Sequence, residues 1–272
     1  MGITNAQRLL RVQDWIGKNK YGIIMGVENK YQPLSWYQSY INGFGTQKPD
    51  VVYIKTGELG QDFTLGMFPQ IRNMFMAAGM GCVPYIYPRP GLLVSDVANA
   101  VKYGKIAGGV QVDAEELFTN QPAALTQLLA DIRQGLGDGP VILVTGYADP
   151  QTATPGWDFA ALKYVDCYQP QMYTGYWTHA NTEDGWEPLV NWARKQLAAV
   201  LVQGNLGIDY PMAPIFNTEN IPTEDWIFSE GEWALEQFFA AFTLWEIRDT
   251  TVTERARARN ACIQVALQEA GK

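Results

Sequence analysis

Short apolar runs and longer amphipathic stretches take turns along this chain. The runs at 21–28 (YGIIMGVE), 50–58 (DVVYIKTGE), 82–90 (CVPYIYPRP), 140–149 (PVILVTGYAD), 165–175 (VDCYQPQMYTG) and 212–219 (MAPIFNTE) have the length and the β-branched and aromatic content of strands. A further strand is predicted in 108–116 (GGVQVDAEE), where small and β-branched residues alternate with polar ones. The segment 238–248 (FFAAFTLWEIR) is ambiguous by period; its aromatic content and its place in the alternation assign it as the last strand.

Between the runs, apolar residues recur at helical spacing. Helices are predicted over 34–41, 65–78, 94–103, 122–135, 186–202, 230–237 and 253–268, with a short helical piece at 158–163. The clearest is 122–135, which places Leu125, Leu128, Leu129 and Ile132 on one face. Gly79 and Gly81 supply the stop after 65–78.

Eight strands alternating with helices imply a parallel sheet and favour a closed (β/α)8 TIM barrel over an open doubly wound sheet. No GxGxxG or Walker fingerprint follows the first strand, which counts against the nucleotide-binding alternative. With 272 residues, of which 47% are hydrophobic, the chain matches the size of one barrel domain spanning 1–272, since such barrels run to about 250 residues.

Charge narrows the partners. A formal net charge of -8 without any Lys/Arg run argues against nucleic acid and disfavours anionic partners in general. Cys82, Cys167 and Cys262 are widely spaced, form no CxxC and have a single histidine to join them, so they read as core thiols with no disulfide framework and no zinc site. No apolar stretch is long enough to span a bilayer, and 1–20 holds no apolar run of signal-peptide length. The chain reads as a soluble monomer that uses no cofactor or metal; exported and phage-associated settings would read alike, and the compartment is left open.

Candidate chemistry centres on the fourth strand. Period-2 geometry sends Gln111, Asp113 and Glu115 to one face and Val110, Val112 and Ala114 to the other. Two carboxylates side by side disfavour each other's ionisation, which is how one is held as an acid while its neighbour stays charged. The alternative is a solvated loop start. In a barrel the site lies at the C-terminal strand ends, which here read Glu28, Glu58, Arg89, Asp113 with Glu115, Asp149, Gln171 with Tyr173, Glu219, and Trp245 with Glu246. Trp36, Tyr87, Tyr147, Tyr173, Tyr176, Trp177 and Trp245 fall at or just beyond those ends, where aromatic faces serve sugar stacking or plain core packing. His179, in the loop after the sixth strand, reads as a surface or binding residue.

Several of these segments resemble a known family. Gly26-Val27-Glu28 followed by Gln32, then Val52-Tyr53-Ile54-Lys55-Thr56-Gly57-Glu58, Ala77-Ala78-Gly79-Met80, Tyr85-Ile86-Tyr87 and Val112-Asp113-Ala114-Glu115 are similar to the glycoside hydrolase family 25 lysozymes (N-acetylmuramidases). Phe242-Thr243-Leu244-Trp245-Glu246 sits where that family ends its barrel with a Trp-Gln pair. The resemblance implies that Glu115 is the general acid, that Asp113 assists the oxocarbenium-like centre or orients the acetamido group, and that Glu28 fills the place of a first-strand Asp. The sixth strand (YQPQMY) departs from that family and is closer to the family 18 chitinases, whose fourth strand ends in Asp-x-Asp-x-Glu; Gln111 stands where that motif has an Asp.

The sequence therefore points to a glycoside hydrolase acting on polymers of N-acetylated hexosamines, peptidoglycan first and chitin-like glycans second. Glu115 and Asp113 are the expected acid pair, with Glu28 beside them and Tyr87, Gln171, Tyr173, Trp177, Glu219 and Trp245 as substrate contacts. Two rivals stand beside this reading: a glycosidase that uses Glu219 as nucleophile, and a barrel that binds glycan or protein without turnover.

Overall fold

A computed structural model describes residues 3–18, 20–25, 32–147, 157–172, 186–217, 225–238, 241–245 and 252–270. Eight parallel strands close into a barrel: β1 (Lys20–Met25), β2 (Val51–Glu58), β3 (Gly81–Tyr87), β4 (Gly109–Asp113), β5 (Val141–Tyr147), β6 (Cys167–Gln171), β7 (Ile215–Asn217) and β8 (Ala241–Trp245). Each pairs with its neighbour in sequence, and closure comes from β1 pairing with both β2 and β8. The architecture is a (β/α)8 TIM barrel, and every predicted strand is represented in it. A two-residue strand, Gln61–Asp62, folds back antiparallel on the end of β2.

Eight α-helices accompany the strands among the described residues. They are α1 (Asn5–Ile16), α2 (Leu34–Gly43), α3 (Phe68–Ala77), α4 (Leu93–Ala107), α5 (Pro122–Leu136), α6 (Trp186–Gln203), α7 (Asp225–Phe238) and α8 (Val252–Ala270). A 3₁₀ helix, Phe159–Tyr164, takes the helical place between β5 and β6. The stripe Leu125, Leu128, Leu129 and Ile132 on α5 is fully buried, as its period predicts; each such side chain contributes about 1.5–3 kcal/mol relative to exposure.

Two apolar layers follow from strand alternation. Outward residues such as Val110, Val112, Ile142, Val144 and Phe242 pack under the helices, while Ile24, Val51, Tyr53, Val83, Tyr85, Leu143, Cys167 and Ile215 fill the barrel. All three cysteines are buried and free.

The helix α1 had no counterpart among the predicted elements, because polar residues dominate it. A capping box between Thr4 and Gln7 starts it, and Val12 and Ile16 join the barrel-interior cluster at the strand N-termini, so α1 closes the bottom of the barrel. Trp15 completes that closure by donating its indole N–H to the Ala107 carbonyl at 2.9 Å. This explains the Gly108-Gly109 pair. Gly108 ends α4 at φ 83°, and a Cβ on Gly109 would lie 2.6 Å from the Val141 carbonyl oxygen and 2.7 Å from the Trp15 ring.

Some boundaries differ from the sequence expectation. The chain is still helical at Phe238 and enters β8 only at Ala241, because the apolar run 238–244 satisfies both periods. Helix α7 begins at Asp225, five residues before the predicted start. Pro84 and Pro170 both sit inside paired strands.

Candidate active site

The rim is built by strand register. On one rung, Asp113 of β4 lies beside Thr145 of β5, which lies beside Gln169 of β6; one rung higher, Tyr147 lies beside Gln171. Glu115, two residues beyond Asp113 and on the same face, is therefore level with Gln171.

The Gln171 amide uses that placement. Its Nε2 donates to Glu115 Oε1 and lies 3.5 Å from Asp113 Oδ1, so one side chain spans both carboxyls. Asp113 is almost wholly enclosed, with 4% of its surface exposed, whereas Glu115 is half-buried. Burial first, and the neighbouring Glu115 second, push the Asp113 carboxyl well above the ordinary carboxylate range, and Lys55 opposes them.

The backbone at this point is pinned. The Ala114 N–H continues the ladder to the Thr145 carbonyl at 3.1 Å, and the buried Trp157 indole donates to the Ala114 carbonyl at 3.0 Å. The Phe118 N–H then closes a turn onto the Glu115 carbonyl at 3.0 Å. Both acids thus project from an anchored strand end.

A neutral polar layer lies underneath. Gln111, fully buried, donates to Gln169 Oε1 at 2.8 Å, and Gln169 donates to the Tyr53 hydroxyl at 3.4 Å. Burial pushes the Tyr53 phenol up to about 12. Gln111 thus places an amide, not a carboxyl, on the strand below Asp113, with its N–H donated to a second amide.

Opposite the pair stands a charged group that depends on a bulge. In β2 the pairing shifts between Lys55 and Gly57, so Lys55 lies beside Tyr85 and Glu58 beside Tyr87, and the Thr56 hydroxyl donates to the Tyr85 carbonyl at 3.0 Å. A regular strand would point positions 55 and 58 to opposite faces; the extra residue brings both inward. Lys55 Nζ then meets Glu58 Oε2 at 2.5 Å and sits 5.4 Å from the Tyr87 ring centroid, while Arg89 reaches Glu58 at 3.7 Å.

The predicted site residues separate as follows. Asp113, Glu115 and Gln171 meet directly; Glu58, Tyr87 and Arg89 lie at the ends of β2 and β3, and Trp245 stands half-buried at the end of β8. Trp36 instead packs on α2 against Tyr37 and Tyr40. Glu28, Tyr173, Trp177 and Glu219, with Asp149, Tyr176, His179 and Glu246, lie outside the described residues. Sequence reasoning did not assign Lys55 a part in the site. Its place on the face of Val51 and Tyr53 was a readable signal, but its ion pair required the bulge.

The sequence matches no protein-family model and no curated protein. Solved structures do match. A chitinase from Chromobacterium violaceum superposes with a TM-score of 0.66 at 8% identity, covering 89% of this chain and 98% of that one. The chitinase-like agglutinin RobpsCRA from Robinia pseudoacacia gives 0.64 at 9% identity, covering 90% and 99%. A glycoside hydrolase family 18 N-acetylglucosaminidase from Paenibacillus barengoltzii gives 0.59 at 13%, again covering 90% and 99%. At these identities the likeness establishes a shared barrel fold; the family 25 resemblance rests on the sequence segments alone.

Proposed function

We propose that this protein is a glycoside hydrolase acting on polymers of N-acetylated hexosamines, peptidoglycan first and chitin-like glycans second. The observation that carries the reading is the carboxyl pair Asp113 and Glu115 at the C-terminal end of β4, bridged by Gln171. The barrel fold shared with chitinases and an N-acetylglucosaminidase supports it by analogy.

The roles follow from burial. Two coupled carboxyls this close hold one proton between them. In the free site that proton rests on the enclosed Asp113; it passes to Glu115, the less enclosed of the two, which delivers it to the glycosidic oxygen as the C–O bond breaks, and Asp113 is left with the negative charge that supports the oxocarbenium-like centre. Water then adds to the sugar carbon and returns a proton to the pair. Gln171 Oε1 is buried without a donor among the described residues, which suits it to accept the N–H of an acetamido group.

A second reading is sugar binding without turnover. The barrel is shared with an agglutinin as well as with hydrolases, so fold does not separate the two. Release of new reducing ends from purified peptidoglycan and from soluble chitin oligomers separates them. Turnover that Glu115→Gln abolishes supports hydrolysis, and the productive polymer identifies the substrate class. Retention of either glycan with no product above the Glu115→Gln control supports the binding reading.

A further inference from the structure

The opposite end of the barrel carries a cavity of about 710 Å³. Its walls come from α1, from the turn between α5 and β5, and from the residues that lead into β6. Arg8, Arg11, Arg133 and Lys163 line it against only Asp138 and Asp166, a local excess of two positive charges in a chain of net charge -8.

Part of this cluster is structural. Asp166, 1% exposed, is clamped by Arg11 at 3.0 Å and Arg133 at 2.5 Å and accepts the Ile142 N–H at 2.8 Å. Arg133 spends its remaining donors on the carbonyls of Tyr164, Gly137 and Pro140, and Arg11 spends its own on Gly139 and Pro140. One buried carboxylate is thus shared by two guanidinium groups. Burial lowers the Arg11 pKa; Asp166 raises it, and Arg133 and Arg8 lower it again.

The other two cations are not consumed by this lock. Arg8 donates one bond to the Lys163 carbonyl at 2.7 Å and lies over the Tyr210 ring, but its Nε is buried with no acceptor among the described residues. Lys163 is exposed, rests over Tyr164, and pairs with no carboxylate among the described residues. Neither stabilising the Asp166 clamp nor closing the barrel requires the charge on Lys163.

We infer that this cavity is an anion-binding site, remote from the carboxyl pair, for a phosphate monoester whose organic body lies against Ile3, Leu10, Tyr164 and Val165. A phosphate monoester carries a charge of about -1.5 to -2 at neutral pH, which matches the excess at the cavity. Charge-assisted bonds from Lys163 and Arg8 supply the recognition, and the two clamped arginines add to the positive field around them. The volume exceeds what a bare phosphate fills.

The test titrates the full chain with inorganic phosphate and with glucose 6-phosphate at constant ionic strength, by calorimetry and by amide chemical shifts. Expected are saturable 1:1 binding of both, tighter for the ester, and shifts confined to residues near 163–166. Lys163→Glu, on the surface, should weaken binding about tenfold or more, the worth of one hydrogen bond to a charged group. Arg8→Gln should do the same, with its melting profile reporting whether the fold is kept, and Glu115→Gln should bind as the wild type does. Absence of saturable binding for both anions, shifts located elsewhere, or binding undiminished by Lys163→Glu overturns the inference.

Discussion

Gln171 and Glu115 meet across the end of the barrel: the amide of β6 donates to the carboxylate that follows β4, with β5 between them. That contact ties the spacing of the two acids to the barrel register. It predicts that Gln171→Leu lowers kcat on the productive glycan by about 10–100-fold, since a hydrogen bond to a charged group is worth about 1.5–3 kcal/mol. The melting temperature should change little. Loss of the donor disfavours the ionised pair, so the acidic limb of the pH–rate profile should move to higher pH. An unchanged profile and rate would remove Gln171 from the site.

Asp113 makes a prediction about stability against pH. Its folded-state carboxyl is held well above the ordinary range by burial and by Glu115. The folded chain therefore keeps a proton that the unfolded chain releases, and this stabilisation is complete below the ordinary carboxylate pKa. It is lost as pH rises from there toward the raised folded value. Asp113→Asn has no proton to lose. The melting temperature of the variant relative to the wild type should thus increase steadily from about pH 4 toward neutrality. A constant difference across that range would contradict the raised pKa.

The Lys55–Glu58 pair is enclosed, with side-chain exposures of 12% and 5%. Removing one partner leaves the other charged and poorly solvated, at a cost of about 3–5 kcal/mol for a fully buried pair and less here. Urea unfolding should find Lys55→Met more destabilising alone than in combination with Glu58→Gln. Strictly additive effects would show that the two charges do not depend on each other.

Much of this was readable in the sequence because each element carries its own period. The strands of the barrel, the α5 stripe, and the shared face of Gln111, Asp113 and Glu115 all follow from spacing within one segment. The features that escaped depend on relations between segments. Helix α1 buries only a narrow strip, with Val12 and Ile16 in the barrel-interior cluster, and its closing role exists only once there is a barrel to close. The Lys55–Glu58 pair needs a bulge that alternation cannot foresee, and the Gln171 bridge needs the register of three strands. The division of 238–248 does not follow from period, because Phe238 fits helix and strand equally well.

If Glu115 protonates the leaving group, the cost of removing it depends on how much the leaving oxygen needs a proton. Turnover of a chitin oligomer or peptidoglycan fragment should be compared with that of a dinitrophenyl glycoside of N-acetylglucosamine, for wild type and Glu115→Gln. A general acid contributes about 10²–10⁴-fold where the leaving oxygen needs a proton. Glu115→Gln should lose activity by that factor on the natural glycan and only slightly on the dinitrophenyl glycoside, whose leaving group departs unaided. Equal losses on both substrates would contradict that role for Glu115.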